Sequence, residues 1–312
     1  MRMTKSALSR WMPRGVVLLC TGLLFSGCAN TLRRAAVNSL ADALASGGTV
    51  YSGDDSPLLI REATPFGLKL METLLAENPD HTRLLLATAQ GFTQYAFAFI
   101  KQDADEIEDE NLDKALALRA EAKKLLLRGR DYALRALEVR YPNFRDLLMS
   151  DHKSALQRLE KQDVPDLYWA GAAWAAAISL AKDDADTIAE LPVVDAMMTR
   201  ALALDESFDD GAIHTFFIAF EMARLGDVEA NAARARKHYE RALALSKGQN
   251  AGLHLALAEA VCVPLEDREE FLSLLDKALR VDVDARKDLR LANTIYQHRA
   301  RWLMERVDRL FL

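Results

Sequence analysis

Six histidines are the side chains best suited to acid–base or metal chemistry in this chain of 312 residues. They are His81, His152, His214, His238, His254 and His298. No two of them have the helical spacing of a zinc-binding pair, so they cannot hold zinc from one face of a helix. The chain also lacks a glycine-rich phosphate loop and a Gly-x-Ser-x-Gly nucleophile turn. The sequence therefore predicts no catalytic residues, no metal site and no cofactor.

Two acidic runs could suggest calcium binding, one from Asp103 to Glu110 and the other from Asp183 to Asp186. A calcium loop of the EF-hand kind needs a central glycine for its sharp turn, and neither run contains one. We therefore expect both runs to be solvated loops. No carboxylate pair stands out as a candidate for acid–base chemistry.

The cysteines suggest attachment to a membrane rather than catalysis. Basic residues, the apolar run 15–25 and the small residues before Cys28 are typical of a secretory signal. The run is too short to span a bilayer. Ending in LFSGC, it resembles the lipobox of bacterial lipoproteins, which implies that Cys28 is lipidated. The alternative is an ordinary cleaved signal with a chance cysteine. Only Cys262 then remains outside the signal region, and we expect it to be a small buried side chain.

Large apolar side chains are concentrated in two segments that favour burial or ligand contact. Residues 167–181 read LYWAGAAWAAAISLA and are apolar all around a helix, as is normal for a buried helix. We predict that aromatic residues here and in residues 211–225 line a ligand path or pore. The candidates are Trp169, Trp174, Phe216, Phe217 and Phe220. The alternative is that all five fill the core.

Composition and the positions of glycine, proline and helix-capping residues predict the helices that would position these residues. The chain has only 14 glycines and 8 prolines and shows no sustained alternation of apolar and polar residues, which favours an all-α fold. Its net charge of −6 argues against bulk nucleic-acid binding. Stop and start signals predict helices over 65–77, 81–101, 111–140 and 211–225, with a short helix before Pro65.

A short pattern recurs near predicted helix ends and suggests a repeat. Copies include ALALDESF from Ala201, ALALSKGQ from Ala242 and ALRVDVDA from Ala278. Ala235, Tyr239 and Ala242 have the offsets of the second helix of a tetratricopeptide repeat. We therefore predict a divergent tetratricopeptide-like helical repeat array in a single domain. The expected organisation is a signal over 1–27, a lipidated N-terminus and linker over 28–55, and the repeat domain over 56–312.

Four segments in order resemble the T component of tripartite ATP-independent periplasmic (TRAP) transporters. Residues 63–99 read ATPFGLKLMETLLAENPDHTRLLLATAQGFTQYAFAF, residues 167–178 read LYWAGAAWAAAI, and residues 226–248 end in ARARKHYERALALSKG. Residues 291–311 read LANTIYQHRARWLMERVDRLF. The resemblance runs over nearly all of residues 56–312. It implies a helical lipoprotein without enzymatic activity.

The resemblance also implies partners and a location. It suggests a homotrimer with an apolar pore, docking of the TRAP substrate-binding protein (the P component), and delivery of a hydrophobic or amphipathic ligand. The resemblance to Gram-negative lipoproteins, with Ala29 after the cysteine, implies the periplasmic face of the outer membrane, with attachment only through lipid on Cys28. The alternative function is a general helical-repeat scaffold lipoprotein for envelope protein assembly, which would bind proteins but no small ligand.

Overall fold

The computed structural model describes residues 36–181 and 184–311, and their regular structure is helical without strands. The N-terminal half contains α1 (36–46), α2 (Gly48–Ser52), α3 (Pro57–Glu77), α4 (Thr82–Tyr95), α5 (Gln102–Ile107), α6 (Leu112–Arg140), α7 (Phe144–Ser150) and α8 (His152–Gln157). The all-α prediction is thus confirmed. The signal and Cys28 lie outside the described residues.

The C-terminal half continues with helices joined by short turns. It contains α9 (Val164–Ser179), α10 (Ala185–Ile188), α11 (Leu191–Leu204), α12 (Ala212–Met222), α13 (Val228–Leu245), α14 (Ala251–Leu257), α15 (Arg268–Arg280), α16 (Arg290–Glu305) and α17 (Val307–Leu310). Segments Ala96–Lys101 and Ala258–Cys262 are π-helical, and Lys161–Asp163, Phe208–Gly211 and Lys287–Leu289 are 3₁₀-helical.

Short polar side chains begin several of these helices by accepting a hydrogen bond from a free backbone N–H. Ser56 caps α3, Asn111 caps α6 and Asp227 caps α13. Asn111 Oδ1, for example, lies 3.0 Å from the backbone nitrogen of Lys114. These caps explain why the start of the predicted helix at 111–140 is correct to within one residue.

Two expectations about helix boundaries are wrong. Pro65 lies inside the continuous helix α3 and does not separate two helices. The acidic run from Asp103 to Glu110 is not a solvated loop, because residues up to Ile107 form α5 and only the end of the run is a turn. Its carboxylates pair with basic side chains from other helices, which offsets the repulsion within the run.

The two largest of the four buried apolar clusters in the described residues hold most of the helices together. The first joins α6, α9, α11 and α12, and the second joins α12 to α16. The pattern alanines Ala201, Ala242 and Ala278 are fully buried. Cys262 is also buried, and burial raises the pKa of its thiol to about 12. The pairs α12–α13 and α14–α15 pack in succession, while the tetratricopeptide-like repeat stays a prediction.

The last helices return to the first ones. Helix α16 contacts α2 and α3, so the array of packed helices closes on itself. Arg299 of α16 lies 3.1 Å from a carboxylate oxygen of Asp105 in α5. Arg306 and Arg309 both pair with Asp109 at the end of the acidic run. The acidic segment therefore holds the C-terminal helices against the N-terminal half of the chain.

His254 is a buried titratable group at the contact between α13 and α14. Its Nδ1 lies 2.9 Å from the Tyr239 hydroxyl, which can donate to it. Burial lowers the pKa of His254 from 6.5 to about 4. Between these two values the unfolded chain binds a proton that the folded chain does not. Stability therefore falls as the pH decreases through this window.

We predict that His254→Asn flattens this pH dependence. The asparagine Oδ1 can accept the Tyr239 hydrogen bond without titrating. Chemical denaturation at pH 7 and pH 4 should show an acid loss smaller than in the parent protein by up to about 3 kcal/mol. His152→Asn, at an exposed position, is the control and should leave the loss unchanged. An equal acid loss in the His254 variant would contradict the assignment.

Candidate functional site

The five aromatic residues predicted to line a ligand path come together around one apolar cluster. Trp174, Phe217 and Phe220 are buried within it, with 3%, 3% and 8% of their surfaces exposed. Trp169 and Phe216 are half-buried and pack against its edge. The five side chains therefore differ in how much surface they could offer to a ligand, and their lining role stays a prediction.

Trp174 is held by polar contacts as well as by packing. Its Nε1 donates a hydrogen bond to Glu190 Oε2 over 2.6 Å. The guanidinium of Arg130 lies 4.8 Å from the centre of its ring. These contacts fix the ring and cover its polar edge, as a buried tryptophan requires.

Trp169 and Phe216 have looser surroundings. The ring of Trp169 meets Tyr168 edge-on at a centroid distance of 5.3 Å. Phe216 stacks on Phe220 at 5.1 Å. Both residues keep part of their surface accessible, so they are the two predicted lining residues best placed to meet an apolar ligand.

We call the partly accessible rings of Trp169 and Phe216 the aromatic edge. Tyr168 contacts Trp169 and also belongs to a second group, which we call the interior site. The interior site consists of Tyr168 on α9, Phe208 and Asp209 before α12, and Tyr296 on α16. Tyr168 and Phe208 pack at a centroid distance of 5.2 Å. The charge of Asp209 contributes to raising the pKa of both tyrosines, after burial. Tyr168 on α9 and Tyr296 on α16 thus both lie within electrostatic range of the Asp209 carboxylate.

Neighbouring protein atoms partly desolvate the Asp209 carboxyl. The residue is exposed, yet burial is the largest cause of the raised pKa of its carboxyl, followed by the charge of Asp210. Among the described residues, its carboxylate has no hydrogen bond or ion pair, although the nearby charge of Arg286 favours its ionised form.

The backbone that carries Asp209 has an uncommon conformation. Asp209, Asp210 and Gly211 have φ angles of 45°, 52° and 90°. Aspartate is one of the few residues besides glycine that enters this left-handed region at moderate cost. Asp210 pairs with Arg286, which also pairs with Asp288. The turn is therefore anchored to the segment that precedes α16.

Tyr296 is positioned by a close helix contact. Gly252 lies on α14, and a Cβ atom there would come within 2.5 Å of the Tyr296 ring. Only glycine permits this approach without displacing the ring. The sequence patterns gave no sign of Asp209 or Tyr296 as site residues. The Asp209-Asp210 pair suggested only a helix start, and contacts between distant helices are not visible in local spacing.

The comparison with known proteins identifies the family. The model for the TRAP transporter T-component matches residues 53–311. The chain belongs to this family. An uncharacterized protein of Treponema pallidum (strain Nichols) is 30% identical over 306 residues, which cover 95% of each chain. The predicted resemblance is thus confirmed, and it makes this T-component an accessory protein of a TRAP transport system.

None of the helices described for this T-component is long and apolar enough to cross a membrane. In the same part of the chain, no three histidine, cysteine or acidic side chains are grouped so that they could hold a metal ion. The acidic side chains of α5 instead pair with arginine and lysine.

We predict that the five aromatic residues separate into two groups on mutation. Trp174→Ala, Phe217→Ala and Phe220→Ala should each lower stability by about 3–5 kcal/mol, because they remove buried rings. Trp169→Ala and Phe216→Ala should cost much less but weaken TRAP-dependent growth on the transported substrate. Thermal unfolding and growth assays on all five variants test this. If every variant that loses transport also loses its fold, the lining role is wrong.

Proposed function

We propose that this T-component works in the periplasm by docking the TRAP substrate-binding protein and offering it an apolar or amphipathic ligand. The observation that carries the proposal is the extent of the family match, residues 53–311, which spans nearly all of the closed helical body. A match of this extent includes the elements that form the interior site. The docking step and the ligand path are our inference.

The chemistry of the aromatic edge supports an apolar ligand. Trp169 and Phe216 keep accessible ring surface beside a well-packed cluster. Tyr168 adds a phenol at the boundary between this surface and the interior site. Aromatic rings give apolar contact area, while a phenol or carboxylate can bind a polar end of the same molecule. A ligand with one apolar and one polar end suits this arrangement.

We further propose that the mature protein is anchored through lipid on Cys28 to the periplasmic face of the outer membrane and assembles as a homotrimer. The described structure begins at residue 36. The residues from 28 to 36 can span at most about 30 Å when extended. The lipid would therefore hold α1, and the body packed on it, close to the bilayer surface.

We predict that Cys28→Ser releases the protein from the membrane or leaves it unprocessed. The variant removes the only sulfur at the end of the signal run and so prevents lipidation. Fractionation of cells followed by immunoblotting checks this result. Cys262→Ser is the control, because that thiol is buried and should not affect attachment. Unchanged membrane attachment of the Cys28 variant would contradict the anchor.

We predict that the purified T-component forms a complex with the substrate-binding protein encoded beside its TRAP permease. Deletion of the T-component gene should reduce uptake through that permease, and the wild-type gene should restore it. Size-exclusion chromatography of the mixed proteins and uptake of labelled substrate are the measurements. If no complex forms and uptake is unchanged, the proposal is wrong. Capture of envelope-assembly proteins, without small-molecule binding, would favour the scaffold function instead.

A further inference from the structure

A cavity of about 280 Å³ opens to solvent where α6 contacts α7. Its lining is charged or polar throughout and consists of Arg128, Asp131, Tyr132, Arg135, Glu138 and Arg145. The first five residues lie on one face of α6, because their spacings follow the turns of the helix. Arg145 comes from α7, after the turn that ends α6. Three guanidinium groups from two helices therefore line one cavity.

Two of these arginines are held in place by neighbouring groups. The Nε atom of Arg128 lies 2.6 Å from Glu72 Oε1, and its guanidinium lies 5.2 Å from the centre of the Phe92 ring. Arg145 Nη2 donates a hydrogen bond to the backbone carbonyl of Asp131 over 3.4 Å. Arg145 Nη1 lies 3.5 Å from the carboxylate of the same aspartate. These contacts fix the positions of both guanidinium groups at the cavity wall.

The cavity also contains basic groups that lack acceptors. The Nε–H of Arg145 is buried and has no hydrogen-bond partner among the described residues. Arg135 is half-buried, and in the same part of the chain its guanidinium has no ion pair or hydrogen bond. A buried donor without an acceptor is unfavourable, so an oxygen-bearing anion in the cavity would satisfy a group that the protein leaves unpaired.

The acidic side chains of the cavity are already used within the protein. Asp131 Oδ1 lies 2.9 Å from Arg130, and Glu138 accepts a hydrogen bond from the backbone N–H of Arg145 over 3.4 Å. Together with their partners, the lining residues comprise five basic and three acidic side chains: Lys69, Arg128, Arg130, Arg135 and Arg145 against Glu72, Asp131 and Glu138. The cavity is therefore positively charged, although the whole chain has a net charge of −6.

We propose that this cavity binds a small dianion with oxygen acceptors, such as a phosphate or a short dicarboxylate. Guanidinium groups match the oxygens of both ligand types in pairs of parallel hydrogen bonds. The excess of two basic groups suits two negative charges. The volume lies near the lower end of small-molecule sites, about 300–1,000 Å³, which favours a ligand of few atoms. The cavity shares no residue with the aromatic edge or the interior site, so this inference goes beyond the proposed function.

The test compares inorganic phosphate, succinate and acetate by titration calorimetry at pH 7.5 and low salt. The wild-type protein should bind at least one of the two dianions about tenfold more tightly than acetate. Arg135→Gln should weaken that binding about tenfold, because it removes the unpaired guanidinium and breaks no ion pair of the described structure. Arg301→Gln is the matched control. It removes the same charge at an exposed position on α16 and should change the affinity by less than about twofold.

The outcomes separate the possible ligands. Binding of phosphate alone supports a site for a tetrahedral oxyanion, and binding of succinate alone supports a site for a dicarboxylate. If neither dianion binds to the wild-type protein at millimolar concentration, or if Arg135→Gln binds them as well as the wild type, the proposal is wrong. An equal loss in Arg301→Gln would assign the effect to net charge and overturn the site.

A protein partner is the other possible occupant of this surface. If the wild-type protein binds neither dianion but Arg135→Gln loses the complex with the substrate-binding protein, the cavity receives an acidic segment of that partner and the small-ligand site is wrong. Circular dichroism of each variant confirms that it is folded, so a loss of binding cannot come from unfolding.

Discussion

The return of the last helices to the first ones is the constraint on which the interior of this protein depends. A row of helices that stayed open would leave α9 and α16 facing different parts of the solvent. The ion pairs between Asp105 and Arg299 and around Asp109 hold α5 against α16 and α17. Burial alone would raise the pKa of Asp105, but Lys101 and Arg299 outweigh it and lower that pKa. The carboxylate is therefore charged and paired where the circuit closes.

The interior site follows from this closure. Its tyrosines lie on α9 and α16, which are far apart in sequence, and its carboxylate lies on the turn before α12. Each element is held separately: α9 by the first apolar cluster, α16 by the second, and the turn by Arg286. The aromatic edge belongs to the first cluster, so the apolar and polar parts of the site are positioned by different interactions.

Local sequence signals predicted the starts of helices well where a single capping residue determines the start. Asn111 and Asp227 act through their own side chains on the next turn, so a cap is visible in the sequence. The acidic run was misassigned because its partners, such as Arg299 and Arg306, lie far away in the sequence. Asp209 was missed for the same reason. Its significance comes from rings and charges on other elements, and spacing along one segment carries no information about them.

Stability alone does not explain an aspartate at position 209. A non-glycine residue in the left-handed region costs roughly 1–2 kcal/mol, and asparagine would accept that conformation without a charge. The raised pKa of Asp209 shows that its ionised form is disfavoured in the folded protein. Asp210 has a structural reason to be charged, because it binds Arg286. Asp209 lacks such a pair among the described residues and lies at the exposed surface, so the turn fixes one of its two adjacent carboxylates through Arg286 and leaves the other to water.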